Sequence, residues 1–180
     1  MRRALGRRAC SRIVSLLALA LVGLLARSNA QPPGGGEQSC RNFVQKFYDG
    51  YWNQYLAKMK DSNFSLPGTD AVLRARPPVL SQEIIDLILK DEKRSKETGD
   101  VGNLDFDPFL NSQDPQGRYV VTKVEIADAT CKATVSRAHT VTELKPSGTS
   151  WIFINFHYSY FTPAGKKDGP DADLLQILKQ

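Results

Sequence analysis

The sequence predicts an α+β domain, with N-terminal helices packed on a curved antiparallel sheet and a short helix closing the chain. Three observations carry that expectation. Aromatic residues recur at helical spacing between Phe43 and Tyr55, a second apolar helical face runs from Ile84 to Leu89, and two-residue alternation begins at Arg118 and recurs to Phe161. Between the halves lies Leu104-Asp-Phe-Asp-Pro-Phe-Leu-Asn-Ser-Gln-Asp-Pro115, where helical periodicity stops and strand periodicity starts.

Residues 1–30 read as a cleaved secretory signal. Arg2, Arg3, Arg7, Arg8 and Arg12 form a basic start, the apolar run Ile13 to Ala26 follows, and Ser28-Asn29-Ala30 places small residues before a cut at Ala30–Gln31. The run is about 14 residues, short of the roughly 20 that a spanning helix needs, so no membrane span is expected after cleavage. Six of the 24 basic residues and none of the 19 acidic ones lie in this leader, leaving 18 basic against 19 acidic residues. The basic balance of the whole chain therefore belongs to the leader, which argues against nucleic acid as a partner.

The leader also takes Cys10, so Cys40 and Cys131 remain. In an exported chain two cysteines read as one disulfide, the alternative being two separate buried thiols. Residues 31–38, with Gln31-Pro-Pro-Gly-Gly-Gly36, form a spacer, and 39–180 form one domain.

The first helix is expected from Ser39, as N-cap, to about Tyr55. Its stripe is Phe43, Val44, Phe47, Tyr48, Tyr51, Trp52 and Tyr55, six of them aromatic and three hydroxylated. Rings with polar tips pack on a sheet or line a pocket, which makes Tyr48, Tyr51 and Trp52 candidate binding residues. Residues 61–78 read as irregular because Pro67-Gly68 and Pro77-Pro78 punctuate them, and Asn63-Phe-Ser is a weak glycosylation acceptor. Ser81 caps a second helix to about Ser95, with Ile84, Ile85, Leu87, Ile88 and Leu89 as its apolar face. The mixed-charge run Asp91 to Asp100 reads as a solvated helix end and loop.

In the strand half, Arg118–Ile126 places Val120, Thr122, Val124 and Ile126 on one face, and Ala127-Asp-Ala129 turns the chain. A second strand is expected from Thr130 to about Thr142, with Cys131, Ala133 and Val135 sharing a face, and then a turn at Lys145–Ser150. The third strand, Trp151–Phe161, has Ile152, Ile154, Phe156, Tyr158 and Tyr160 as its apolar face and Trp151, Phe153, Asn155, His157 and Ser159 on the other. Asp173 caps a closing helix with Leu174, Leu175, Ile177 and Leu178. A Cys40–Cys131 bond would pin the first helix to the second strand.

Asp105, Asp107, Asn111 and Asp114 gather four oxygen-bearing side chains within ten residues. A calcium loop needs tighter alternation and a central glycine, and Phe109 stands where a third ligand belongs, so no metal is expected. Aspartates beside prolines cap backbone amides; otherwise Asp105 and Asp107 belong to a ligand-contacting loop. His157, with Trp151 and Asn155, forms a row on the outer sheet face that would meet solvent, a second subunit or a protein partner. Paired with Asp105 or Asp107 in an aromatic pocket, His157 would instead serve an isomerase- or hydrolase-like enzyme as general base. No nucleophile elbow, phosphate-binding glycine loop or zinc spacing accompanies it, and no cofactor is expected.

The order of segments resembles the bacterial exported family known as domain of unknown function 3828. The likeness rests on the aromatic helix around Phe47-Tyr48, the Leu80-Ser81 helix ending in Asp91, Leu104-Asp-Phe-Asp-Pro-Phe109 with Gln113-Asp114, and Trp151 before Asp173-Leu-Leu, so it spans nearly all of residues 40–180. The resemblance implies a small cone-shaped domain similar to the nuclear-transport-factor-2 and cystatin-like groups, with no catalytic residues to carry over. Those folds host enzymes, carriers and protein-binding modules alike. The expectation is an exported, non-enzymatic module that binds a protein or small ligand in the cell envelope, an inhibitor or immunity protein being one concrete version.

Overall fold

The computed structural model describes residues 35–59, 69–159 and 171–180. The expected leader with its Ala30–Gln31 cut, Asn63 and the strand end at Tyr160–Phe161 lie outside them. Helix α1 (Glu37–Met59) and helix α3 (Gln82–Thr98) flank a short helix α2 (Thr69–Leu73). Strands β1 (Val121–Ala127), β2 (Thr130–Val135), β3 (Thr140–Ser147), β4 (Ser150–Tyr158) and β5 (Ala172–Asp173) form one antiparallel sheet in chain order, and helix α4 (Leu174–Leu178) follows. The α+β expectation holds, with α2, β5 and a fourth long strand added.

α1 buries Val44, Tyr48, Tyr51 and Tyr55 and half-buries Phe43, Phe47 and Trp52, so the stripe is its core face. The helix starts two residues before Ser39: the Cys40 amide donates to the Gly36 carbonyl, and Glu37 sits favourably in the first turn. Ser39 is therefore no cap; its Oγ accepts a hydrogen bond from the Trp151 indole at 3.2 Å. Cys40 and Cys131 form the expected disulfide, tying α1 to β2.

α3 is capped as expected, the Ser81 Oγ accepting from the Ile84 amide, and Gly99 at φ 75° ends it by donating to the Ser95 carbonyl. It buries Ile84, Ile85 and Ile88, half-buries Leu87 and leaves Leu89 47% exposed. Asp91 is the exception to the solvated reading of the charge run, which holds for the exposed and half-exposed residues 92–100. Its buried carboxylate accepts from the Asn103 and Leu104 amides and pairs with Arg94 at 2.8 Å. Gly102 is required there, because a Cβ would stand 2.5 Å from the Asp91 Oδ2.

Two bulges overturn the expected strand faces. Val121 pairs with Val135 but Lys123 with Thr134, which leaves Thr122 as an extra residue in β1. Tyr119 and Val121 are buried before it and Val124 after it, so Val120 and Thr122 do not share the core face. In β4, Phe153 pairs with Leu144 and Asn155 with Glu143, leaving Ile154 unmatched. Trp151 and Phe153 therefore face the core with Phe156 and Tyr158, while Ile152 and Ile154 are only half-buried. Trp151, expected on the outer row, is 2% exposed beneath α1. The expected second strand is in fact two, folded at Ser136–His139 with Arg137 and His139 at positive φ. The Lys145–Ser150 turn narrows to Gly148-Thr149.

On its far side β4 is bridged by Val79–Ser81, where the Ser81 amide donates to the Phe153 carbonyl and the Phe153 amide to the Val79 carbonyl. This bridge brings the approach to α3 alongside α1, and between them lies the groove described below.

Candidate functional site

The central Asp-Phe-Asp-Pro-Phe segment is a structural anchor under α1. Asp107 is 2% exposed, and its carboxylate accepts from the Tyr51 hydroxyl at 2.6 Å and from the Phe109 and Leu110 amides at 2.9 and 3.0 Å. The Tyr48 hydroxyl donates to the Phe109 carbonyl and the Tyr158 hydroxyl to the Pro108 carbonyl. Burial raises the Asp107 pKa above its usual value despite those donors. Burial, then the Asp107 charge, pushes the Tyr48 and Tyr51 phenols far up and Tyr119 up to about 12.

The oxygen cluster disperses. Asp105 is exposed and accepts from Gln113, Asn111 donates to the Ala138 carbonyl, and Asp114 accepts from Gln116. Asp107 is thus the capping aspartate of the two readings offered by the sequence, not an exposed ligand contact.

The His157–Asp pairing of the alternative enzyme reading does not form. Asp107 lies on the face covered by α1, where Phe156 and Tyr158 point; His157 alternates to the other. There its Nε2 meets the Glu143 Oε2 at 2.9 Å, and Lys132 stands 4.0 Å from the same carboxylate. Asp105, tied to Gln113, does not join it. Asn155 is also spent locally: its Oδ1 accepts from the Phe156 and Leu175 amides and its Nδ2 donates to Asp173, fixing the start of α4. Trp52 stacks on Tyr55 at 5.4 Å and leans on Tyr119 at 5.5 Å, filling the end of the aromatic layer.

Sequence reasoning missed the groove between α1 and α2, a cleft of about 380 Å³. Phe43, Phe47 and Tyr51 line it from α1 beside Lys46, Gly50 and Gln54. Ala71 and Val72 of α2, Ala75, Val79 and Ser150 complete the wall. Phe47 is locked by Phe153 at 4.8 Å and Phe109 at 5.6 Å, so that wall is rigid. The Tyr51 hydroxyl is committed to Asp107, leaving its ring to the groove.

Gly50 is the informative residue. It sits inside a 23-residue helix, where glycine costs about 0.5–1 kcal/mol relative to alanine. Among the described residues a Cβ there would meet nothing within 4 Å, and its φ is not one that demands glycine. Crowding does not explain it; the open space beside Gly50 is the groove that it lines. A glycine interrupting a helical stripe was the available signal. The chain matches no protein-family model, no curated protein and no solved structure.

Proposed function

We propose that this chain is an exported, non-enzymatic binding module of the cell envelope whose site is the α1–α2 groove. The observation that carries the proposal is Gly50, a helix-interior glycine that lines the groove, costs helix stability and meets no steric need in the described fold. The volume lies within the usual range for small-molecule pockets, about 300–1,000 Å³, and its lining is mainly apolar with few polar groups, as such sites require. The polar side chains of the alternative enzyme reading and of the outer row are engaged locally: Asp107 and Asn155 bind backbone amides, and His157 is paired with Glu143. That distribution supports binding over chemistry.

The resemblance to domain of unknown function 3828 belongs to the same reading, as does a nuclear-transport-factor-2-like form for the sheet and helices. In it the Asp-Phe-Asp-Pro-Phe segment serves as the anchor that sets α1 on the sheet. The test is native mass spectrometry of the exported protein beside a Gly50→Leu variant. A co-purifying mass that denaturation releases from wild type and that the variant lacks supports the reading; an identical mass in both removes the groove as the site.

A further inference from the structure

The groove has two rows on α1. Phe43, Phe47 and Tyr51 repeat every four residues, and Lys46, Gly50 and Gln54 run beside them at the same spacing. One step is about 6 Å along the axis, so Lys46 and Gln54 stand roughly 12 Å apart with the gap at Gly50 between them. Across from them stand Ala71 of α2 and Ala75, just beyond its end. Small residues, Gly50 and Ala71, stand on its two sides, and the rings of Phe43, Phe47 and Tyr51 border the slot between them. Such a slot suits a flat body.

The slot is also charged at one place. Lys46 is the charged residue among its described lining, no acid lines it, and Lys46 enters no ion pair among the described residues. The charge complementary to this lining is a single anion at the Lys46 end.

We propose that the groove takes a small aromatic monocarboxylate, its ring in the slot opened by Gly50 and its carboxylate on the Lys46 ammonium. This rests on the reading of the groove as the ligand site and adds the ligand's chemical class. A volume near the lower end for pockets favours a one- or two-ring acid over a long-chain lipid.

The experiment is isothermal titration of the exported protein with 2-naphthoate and with neutral 2-naphthylmethanol. Wild type, Lys46→Gln and Gly50→Leu are compared, with a thermal melt of each variant as the folding control. Gly50→Leu should melt no lower than wild type, because leucine favours the helix, and should lose roughly tenfold or more in affinity for both probes. Lys46→Gln should weaken naphthoate by about 2- to 5-fold, as expected for a solvent-exposed ion pair, and leave the alcohol unchanged. Equal binding of acid and alcohol by wild type, or naphthoate binding indifferent to Lys46→Gln, overturns the carboxylate assignment while Gly50→Leu sensitivity keeps the groove. Absence of naphthoate binding overturns the ligand class, and probe binding that survives Gly50→Leu overturns the groove itself.

Discussion

Breaking the Cys40–Cys131 bond should cost this domain a large share of its stability. The two cysteines are 91 residues apart. In the chain-entropy treatment, closing a loop of that length restricts the unfolded chain by about 16 cal/mol/K, or about 4.6 kcal/mol at 25 °C. Domains of this size are stable by about 5–15 kcal/mol in all, so the bond carries between a third and most of the total. Both sulfurs are fully buried between α1 and β2, and reductant reaches them only through unfolding. Urea titration to equilibrium with and without a phosphine reductant, followed by tryptophan fluorescence, is the appropriate assay. With a urea slope of about 2 kcal/mol/M, the reduced midpoint should fall by roughly 2 M. Hydrogen exchange in the reduced protein should rise first along Glu37–Phe43, the turn of α1 that the bond holds over the sheet. Midpoints within about 0.3 M of one another, about 0.6 kcal/mol at that slope, would refute the reasoning, since the chain-entropy treatment assigns this loop length several times more.

Asp107→Ala strands the Tyr51 hydroxyl and two buried amides, so a loss of about 3–5 kcal/mol is expected in the same urea assay. Asp107 also predicts a pH slope of unusual sign. Folded Asp107 keeps its proton to higher pH than the unfolded carboxyl, so the folded state binds the extra proton between those two pKa values. Its contribution is most favourable below the ordinary value of 3.8 and declines, by at most ~1.4 kcal/mol per pH unit, as pH rises toward the raised folded value. The stability difference between wild type and Asp107→Asn should trace that decline, and a difference flat across pH 3–7 would contradict it. Ala129 sits at φ 61° in the two-residue β1–β2 turn beside Asp128 at φ 48°, where glycine belongs. Ala129→Gly should therefore gain about 1 kcal/mol and raise Tm by roughly 2–4 °C, measured by calorimetry. Gly50→Ala should gain about 0.5–1 kcal/mol in helix stability, and an unchanged or lower Tm would mean that Gly50 serves the fold after all.

Local signals made α1, α3 and α4 legible. A seven-residue stripe, Ser81 before the apolar face of α3, and Asp173 before a leucine pair each act within a few residues, while the end of α3 at Thr98 lies beyond the expected Ser95. The cysteine pairing was legible because only two cysteines lie beyond the leader expected at residues 1–30. The strand faces were not, because alternation fixes a face only until a bulge inserts a residue, and neither Thr122 nor Ile154 differs from its neighbours in a way that marks one. The turn at Ser136–His139 was hidden for a related reason: its positive-φ positions are Arg137 and His139, without a glycine to announce them.

The site suffered most from this. The partner of His157 comes from sheet register, which brings Glu143 alongside across β3 and β4, whereas residue type alone had pointed to the aspartates of the central segment. Those aspartates were legible as caps, and Asp107 is one. The groove needed α2, a five-residue helix between proline- and glycine-rich stretches that suppress any periodic signal. Gly50 was visible throughout, but the aromatic residues around it drew the attention to the core face of α1.

The most direct test of the groove as the binding site is an amide ¹H–¹⁵N spectrum of the protein titrated with 2-naphthoate. The Gly50 amide falls in a sparsely populated region of such spectra and reports from the middle of the slot. Shifts that saturate together at Gly50, Ala71, Ala75 and Val79, with the Lys132, Glu143 and His157 amides unmoved, are the predicted result. Saturating shifts confined to Lys132, Glu143 and His157, or none anywhere, would contradict the account.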